Sequence, residues 1–118
     1  MKRKAITEQR VIMSNISTDR LLVRRLGVPC GILRFSGKNY IFEYKKSYRG
    51  PALPGLEKNK KHQSKNLFIL FESFLPEGDN LERMSFFAKC DPDDAMTLFA
   101  VYGQQTLSGI TLEPVDVD

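Results

Sequence analysis

Three short runs of β-forming residues lie close together near the start of the chain, and they constrain the fold more than any other feature. They occupy residues 21–26, 30–35 and 39–45. The turns between them, Gly27-Val28-Pro29 and Ser36-Gly37-Lys38, are only three residues long. Turns this short connect antiparallel neighbours, because a parallel crossover needs about a dozen residues or more. The sequence therefore predicts an antiparallel meander.

The second half of the chain has the pattern of helices followed by one strand. An apolar run stops at Pro76, then Leu81, Met84 and Phe87 recur at helical spacing, and Pro92 suits a first helical turn. Strands first and helices later are typical of an α+β fold, with a small antiparallel β-sheet packed against about three α-helices. We predict helices near residues 66–75, 79–89 and 92–102, and a fourth strand near residues 106–113.

The length of 118 residues suits one domain. Residues 1–20 lack clear periodicity, so we expect them to form a flexible N-terminal extension to a single domain at residues 21–118. Residues 46–65 contain Pro, Gly and a cluster of lysines, which predicts a long exposed loop. Loops of this length are often functional.

Charge is divided unequally between the two halves of the chain. Residues 1–65 hold 16 Lys and Arg against 4 Asp and Glu, whereas residues 66–118 hold 2 against 10. The basic half indicates an acidic partner, either nucleic acid or an acidic protein surface. The alternative is that the two halves neutralise each other within one small fold.

Few residues in this chain suit catalysis or metal binding. His62 is the one histidine, and Cys30 and Cys90 are too far apart in sequence to form a metal-binding pair. The sequence contains no glycine-rich phosphate-binding motif. We therefore expect no enzyme activity, no cofactor and no metal. The longest apolar run, residues 67–71, is too short to cross a bilayer, and we expect a cytoplasmic protein.

The most distinctive stretch is Phe68–Asp79, which reads FILFESFLPEGD. It resembles the F-x-x-L-LPEGD segment of the N-terminal subdomain of HipA-family kinases, the toxins of HipBA toxin–antitoxin modules. Gly37–Tyr44 resembles the hairpin of that subdomain, and Leu107–Pro114 resembles its closing strand. Pro51–Leu56 departs from the family pattern. The resemblance covers residues 21–115 in order.

This resemblance implies a binding module. No position matches the family's catalytic machinery, so no catalytic residue is carried over. The chain resembles the free-standing, HipS-like component of tripartite HipBST modules, which binds and neutralises a HipA-like (HipT-type) serine/threonine kinase toxin that lacks this subdomain. The implied partners are that kinase and a complex that includes a helix-turn-helix DNA-binding protein.

The long loop is the part of the chain that we expect to meet the kinase. It could enter the active-site cleft, or docking could hold the kinase lobes in an inactive arrangement. The lesser alternative is a nucleic-acid-binding accessory or operator-binding co-repressor, in which basic residues contact phosphates and Tyr40, Tyr44 and Tyr48 stack on bases. The candidate partner-binding residues are Tyr48, Arg49, Lys58, Lys60, Lys61 and His62.

Overall fold

The computed structural model describes the backbone of residues 16–116 and the side chains of residues 19–115. The strands are β1 (Ile16–Arg25), β2 (Val28–Phe35), β3 (Tyr40–Tyr44), β4 (His62–Ser64) and β5 (Ile110–Asp116). The helices are α1 (Ile69–Glu72), α2 (Gly78–Ala88) and α3 (Ala95–Tyr102).

All five strands belong to one antiparallel sheet with the order β4-β3-β2-β1-β5. The first three strands form the predicted meander, and β5 returns after the helices to pair with β1. The predicted α+β class, with an antiparallel sheet and three helices, is confirmed.

One strand was not predicted. Residues 62–64, inside the segment that we expected to be loop, pair with β3. In this register Phe42 lies opposite His62, and Tyr40 lies opposite Ser64. Three polar residues leave no apolar alternation that sequence patterns can detect. The backbone of the edge strand β3 supplies the pairing instead.

Several predicted boundaries were wrong for local reasons. The helix expected at residues 66–75 is a single turn, α1, because Phe74 and Leu75 bond to carbonyls only three residues back and Pro76 follows. The third helix begins at residue 95 instead of 92, because Asp94 is its N-cap and accepts a hydrogen bond from the Thr97 N–H at 3.1 Å. The last strand begins at residue 110 instead of 106.

The core lies between one face of the sheet and the helices. Leu21, Leu33, Phe42 and Leu112 are all fully buried there. Gly31 on β2 is needed for this packing, because a Cβ at that position would lie 2.6 Å from the Phe42 ring and from a backbone oxygen. A close approach of this kind tolerates only glycine.

Helix α2 is rotated relative to the apolar stripe that the helical spacing of Leu81, Met84 and Phe87 predicts. Phe87 was expected to face the core but is 68% exposed, and its neighbour Phe86 is 76% exposed. The buried position is Ser85, whose hydroxyl donates to the carbonyl oxygens of Leu81 and Glu82 within the helix. Sequence spacing did not reveal this rotation because a hydroxyl satisfied inside its own helix can be buried at little cost.

The basic and acidic halves of the chain meet at the edge of the sheet. Arg24 on β1 forms an ion pair with Glu113 on β5 at 3.3 Å.

The predicted extension at residues 1–20 is divided: residues 16–20 lie in β1, and residues 1–15 lie outside the described residues. Within the described part of the chain, no helix is long and apolar enough to span a membrane.

Candidate partner-binding site

The segment that joins β3 to β4, residues 45–61, forms a basic loop with a cleft along one side. The cleft has a volume of about 460 Å³. Among the residues that the structure describes, Glu43, at the end of β3, is its only acidic lining residue. The cations that line it are Lys45, Lys46, Arg49, Lys58, Lys60 and Lys61.

The middle of the basic loop is anchored in the core. Leu53 and Leu56 are 1% and 3% exposed, and the Leu56 N–H donates to the Leu53 carbonyl oxygen at 3.0 Å. Pro54 and Gly55 lie between them, and Gly55 has a φ of +78°. Pro followed by Gly at positive φ is the signature of a type II turn. The loop is therefore folded against the domain over these residues.

Tyr44, at the end of β3, fixes this turn through one hydroxyl group. The hydroxyl accepts a hydrogen bond from the Leu53 N–H at 2.7 Å and donates to the Leu56 carbonyl oxygen. A tyrosine hydroxyl is protonated at neutral pH and so keeps its donor, and burial raises the pKa of this one further above its usual value.

A second anchor lies beneath the cleft. Tyr48 is 5% exposed, stacks on Tyr44 with 5.8 Å between ring centroids, and donates from its hydroxyl to the Pro51 carbonyl oxygen at 2.7 Å. The Lys58 ammonium lies 4.9 Å from the centroid of the Tyr48 ring and donates to the Gly50 carbonyl oxygen at 2.7 Å. Lys58 therefore joins the two sides of the loop.

The six sequence-predicted residues divide into two groups. Tyr48 and Lys58 hold the loop from within, and His62 hydrogen-bonds through Nε2 to the Glu57 carbonyl oxygen at 2.8 Å, so these three stabilise the loop and are not its outer surface. Arg49, Lys60 and Lys61 are exposed on the surface beside the cleft.

Lys45 and Lys46 were missing from the predicted set, although both line the cleft and are exposed. They follow β3 directly, so only the return of the chain at residues 58–61 brings them beside the other lysines. Across residues 19–115, none of the cleft cations is within ion-pair distance of a carboxylate. The cleft is thus a concentrated positive surface.

The base-stacking role considered for Tyr40, Tyr44 and Tyr48 is not supported by their positions. Tyr48 is buried and stacks on Tyr44 inside the loop. Tyr40 packs against Phe35 with 4.7 Å between ring centroids. These rings contact each other or the core and do not form an open platform for bases.

Cys30 is fully buried on β2, and burial raises the pKa of its thiol to about 11. A thiol with this pKa is almost entirely protonated at neutral pH, and the thiolate is the nucleophilic form. Cys30 is therefore a core packing residue. No group of three or more His, Cys, Asp or Glu side chains suited to a metal ion occurs in the described residues.

Replacing Tyr44 by phenylalanine is expected to lower the free energy of unfolding by about 1–3 kcal/mol, because the Leu53 N–H and the Leu56 carbonyl then lose their partner. Urea unfolding measures the change. Tyr40→Phe is the matched control, because the Tyr40 hydroxyl has no hydrogen-bond partner among the described residues. Equal losses in the two variants would contradict the anchoring role of Tyr44.

Comparisons with known proteins give a consistent result. The family model of the HipA N-terminal domain matches residues 21–112. A solved structure, the N-terminal domain of HipA toxin, superposes with a TM-score of 0.63 and 20% sequence identity, over 84% of this chain and 94% of that chain. At this identity the superposition shows a shared fold. No match was found among curated proteins.

Proposed function

This chain belongs to the HipA N-terminal domain family, and from that premise we propose that it is an antitoxin that binds and neutralises a HipA-like serine/threonine kinase. The family gives the chain a HipA-related toxin–antitoxin context. The proposal adds that the kinase lacks an N-terminal domain of its own, so that this chain docks in its place. Both proteins would meet in the cytoplasm.

The basic cleft is the observation that carries the proposal. Its cations have no carboxylate partner in the described structure, and the loop beneath them is fixed by Tyr44 and Lys58. A kinase active site concentrates carboxylates and nucleotide phosphates, which complement such a surface. Because the loop is already anchored, little conformational entropy is lost when a partner binds.

The anchoring also limits the mechanism of inhibition. Leu53 and Leu56 hold the middle of the loop in the core, so we assign the partner contact to the exposed residues 59–61, which lie beside the cleft just before β4. In the favoured mechanism this part of the loop occupies the entrance of the kinase cleft and competes with ATP or substrate. In the other mechanism, docking holds the kinase lobes in an inactive arrangement, and inhibition does not depend on ATP concentration.

Two exposed phenylalanines provide a second contact for the same partner. Phe86 and Phe87 lie on α2 with their rings edge to face and 5.6 Å between centroids. Exposed aromatic side chains are enriched at protein interfaces. In the proposed complex they bury apolar area against the kinase, while the basic loop supplies charge.

Co-expression tests the proposal. A HipA-like kinase without its own N-terminal domain is expected to arrest growth when expressed alone and to lose that toxicity when this chain is expressed with it. A kinase from the same gene neighbourhood is the appropriate choice. Intact toxicity in the presence of abundant soluble antitoxin would reject the proposal.

The second candidate function is a nucleic-acid-binding accessory, which is favoured by the cluster of cleft cations without a carboxylate partner among the described residues. Binding through phosphates alone is strongest at low salt and weakens steeply as salt is added. Titration of a random-sequence DNA duplex at low salt therefore distinguishes the two functions, because the absence of binding there would exclude this one.

A further inference from the structure

We infer that the basic cleft is a binding site for a compact, multiply charged phosphate anion, such as the phosphate chain of a nucleotide. The site involves the same loop as the proposed function. However, the inference concerns a small ligand bound by the chain on its own, so neither proposal depends on the success of the other.

Positive charge is dense around the cleft. The exposed cations around the cleft of about 460 Å³ are Lys45, Lys46, Arg49, Lys60 and Lys61, and Glu43 is its one acidic lining residue within residues 19–115. Side chains of like charge repel one another when they share a small volume, and an anion between them relieves that repulsion. Clefts of about 300–1,000 Å³ are the usual size for small-molecule sites.

The Arg49 guanidinium is positioned before any ligand binds. The Arg49 guanidinium donates from Nη1 to the Lys46 carbonyl oxygen at 2.9 Å, which fixes one edge of its planar group and leaves its other N–H groups for a ligand. Lys58 joins the two sides of the loop through the Gly50 carbonyl. Phosphate oxygens are suited to the fork of an arginine combined with lysine point charges.

The surroundings of the cleft suit a compact anion better than a nucleic-acid strand. The tyrosines next to the cleft are occupied: Tyr48 is buried and Tyr44 stacks on it. A strand also needs cations spread along its length, whereas these cations converge on one cleft. Phosphate, with several charges in a small volume, is a better match than separate carboxylates.

The test uses the purified full chain and sodium tripolyphosphate as the probe, with amide NMR shifts measured at constant ionic strength. We expect saturable shifts at residues 45–49 and 58–61, with a dissociation constant of about 1 mM or tighter. Lys46→Glu with Lys60→Glu should weaken binding by about tenfold or more, because two charge-assisted contacts become repulsive. Absence of saturation would overturn the inference.

The matched control reverses Lys38 and Lys65, which lie at the opposite end of β3 and carry the same charge change. We expect this control to change the affinity by less than about twofold, because charges beyond a Debye length are screened. Equal weakening by both double variants would show a nonspecific charge effect and reject the site. Equally tight binding of an oligoglutamate peptide, or binding of a DNA duplex but not tripolyphosphate, would also reject a phosphate site.

Discussion

Replacing Phe71 by alanine is expected to lower the free energy of unfolding by about 3–5 kcal/mol. Phe71 on α1 is fully buried, and its ring lies 5.7 Å from that of Phe42 and 6.3 Å from that of Phe74, measured between centroids. The single-turn helix α1 places this ring against the sheet, so its loss leaves a cavity between the two layers. Domains of this kind are stable by only about 5–15 kcal/mol, so the loss is a large share of the total.

Urea unfolding of the wild type and the variant measures the difference. The matched control is Phe86→Ala, which removes the same side chain from an exposed position on α2. We expect the control to change stability by no more than about 0.5 kcal/mol, as is usual for surface positions. A loss below about 0.5 kcal/mol for Phe71→Ala would refute its placement in the core.

Joint replacement of Arg49, Lys60 and Lys61 by glutamate is expected to weaken binding to the kinase by about 100-fold or more. These three side chains are exposed beside the cleft, and reversing them brings like charges together in the complex, which costs several kcal/mol. The midpoint of thermal unfolding should hardly change, because none of the three side chains is buried.

Isothermal titration calorimetry with the purified kinase measures the affinity. The control variant reverses Arg20, Lys38 and Lys65, which are also exposed but lie away from the basic loop. It carries the same net charge as the test variant, so it separates a local contact from the overall field of the protein. Equal affinity of the two variants would place the docking surface elsewhere on the domain.

The sheet was the part of the fold most accessible to sequence reasoning. Strands β1 to β3 are separated by short turns. Their apolar residues alternate with polar ones, so one face of the sheet is expected to pack against the core. Tyr40, Phe42 and Tyr44 share that face as their spacing indicates. Strand β4 could not be predicted, because backbone pairing with β3 forms it and its polar side chains carry no pattern.

The helices show where local patterns are insufficient. The spacing of Leu81, Met84 and Phe87 is helical, yet tertiary packing turns Ser85 inward and leaves Phe87 in solvent. In α1, hydrogen bonds to carbonyls three residues back end the helix before its apolar run ends. The rotation of α2 depends on contacts between elements, and the end of α1 depends on local hydrogen bonding; a periodicity specifies neither.

The candidate site was predictable in its charge but not in its construction. The lysines of residues 58–61 indicated a basic loop, and Lys60 and Lys61 are exposed as expected. However, composition alone could not show that Tyr48 and Lys58 hold the loop from within. It also could not place Lys45 and Lys46 in the same cleft, because their proximity depends on the fold of residues 48–58.

We propose that this chain binds and inhibits a HipA-like kinase. The most direct test is to titrate the purified chain into a phosphorylation assay of that kinase. We predict that kinase activity falls progressively and approaches zero near an equimolar ratio, while the triple glutamate variant at residues 49, 60 and 61 leaves most activity intact. Undiminished phosphorylation in the presence of excess folded chain would contradict the claim.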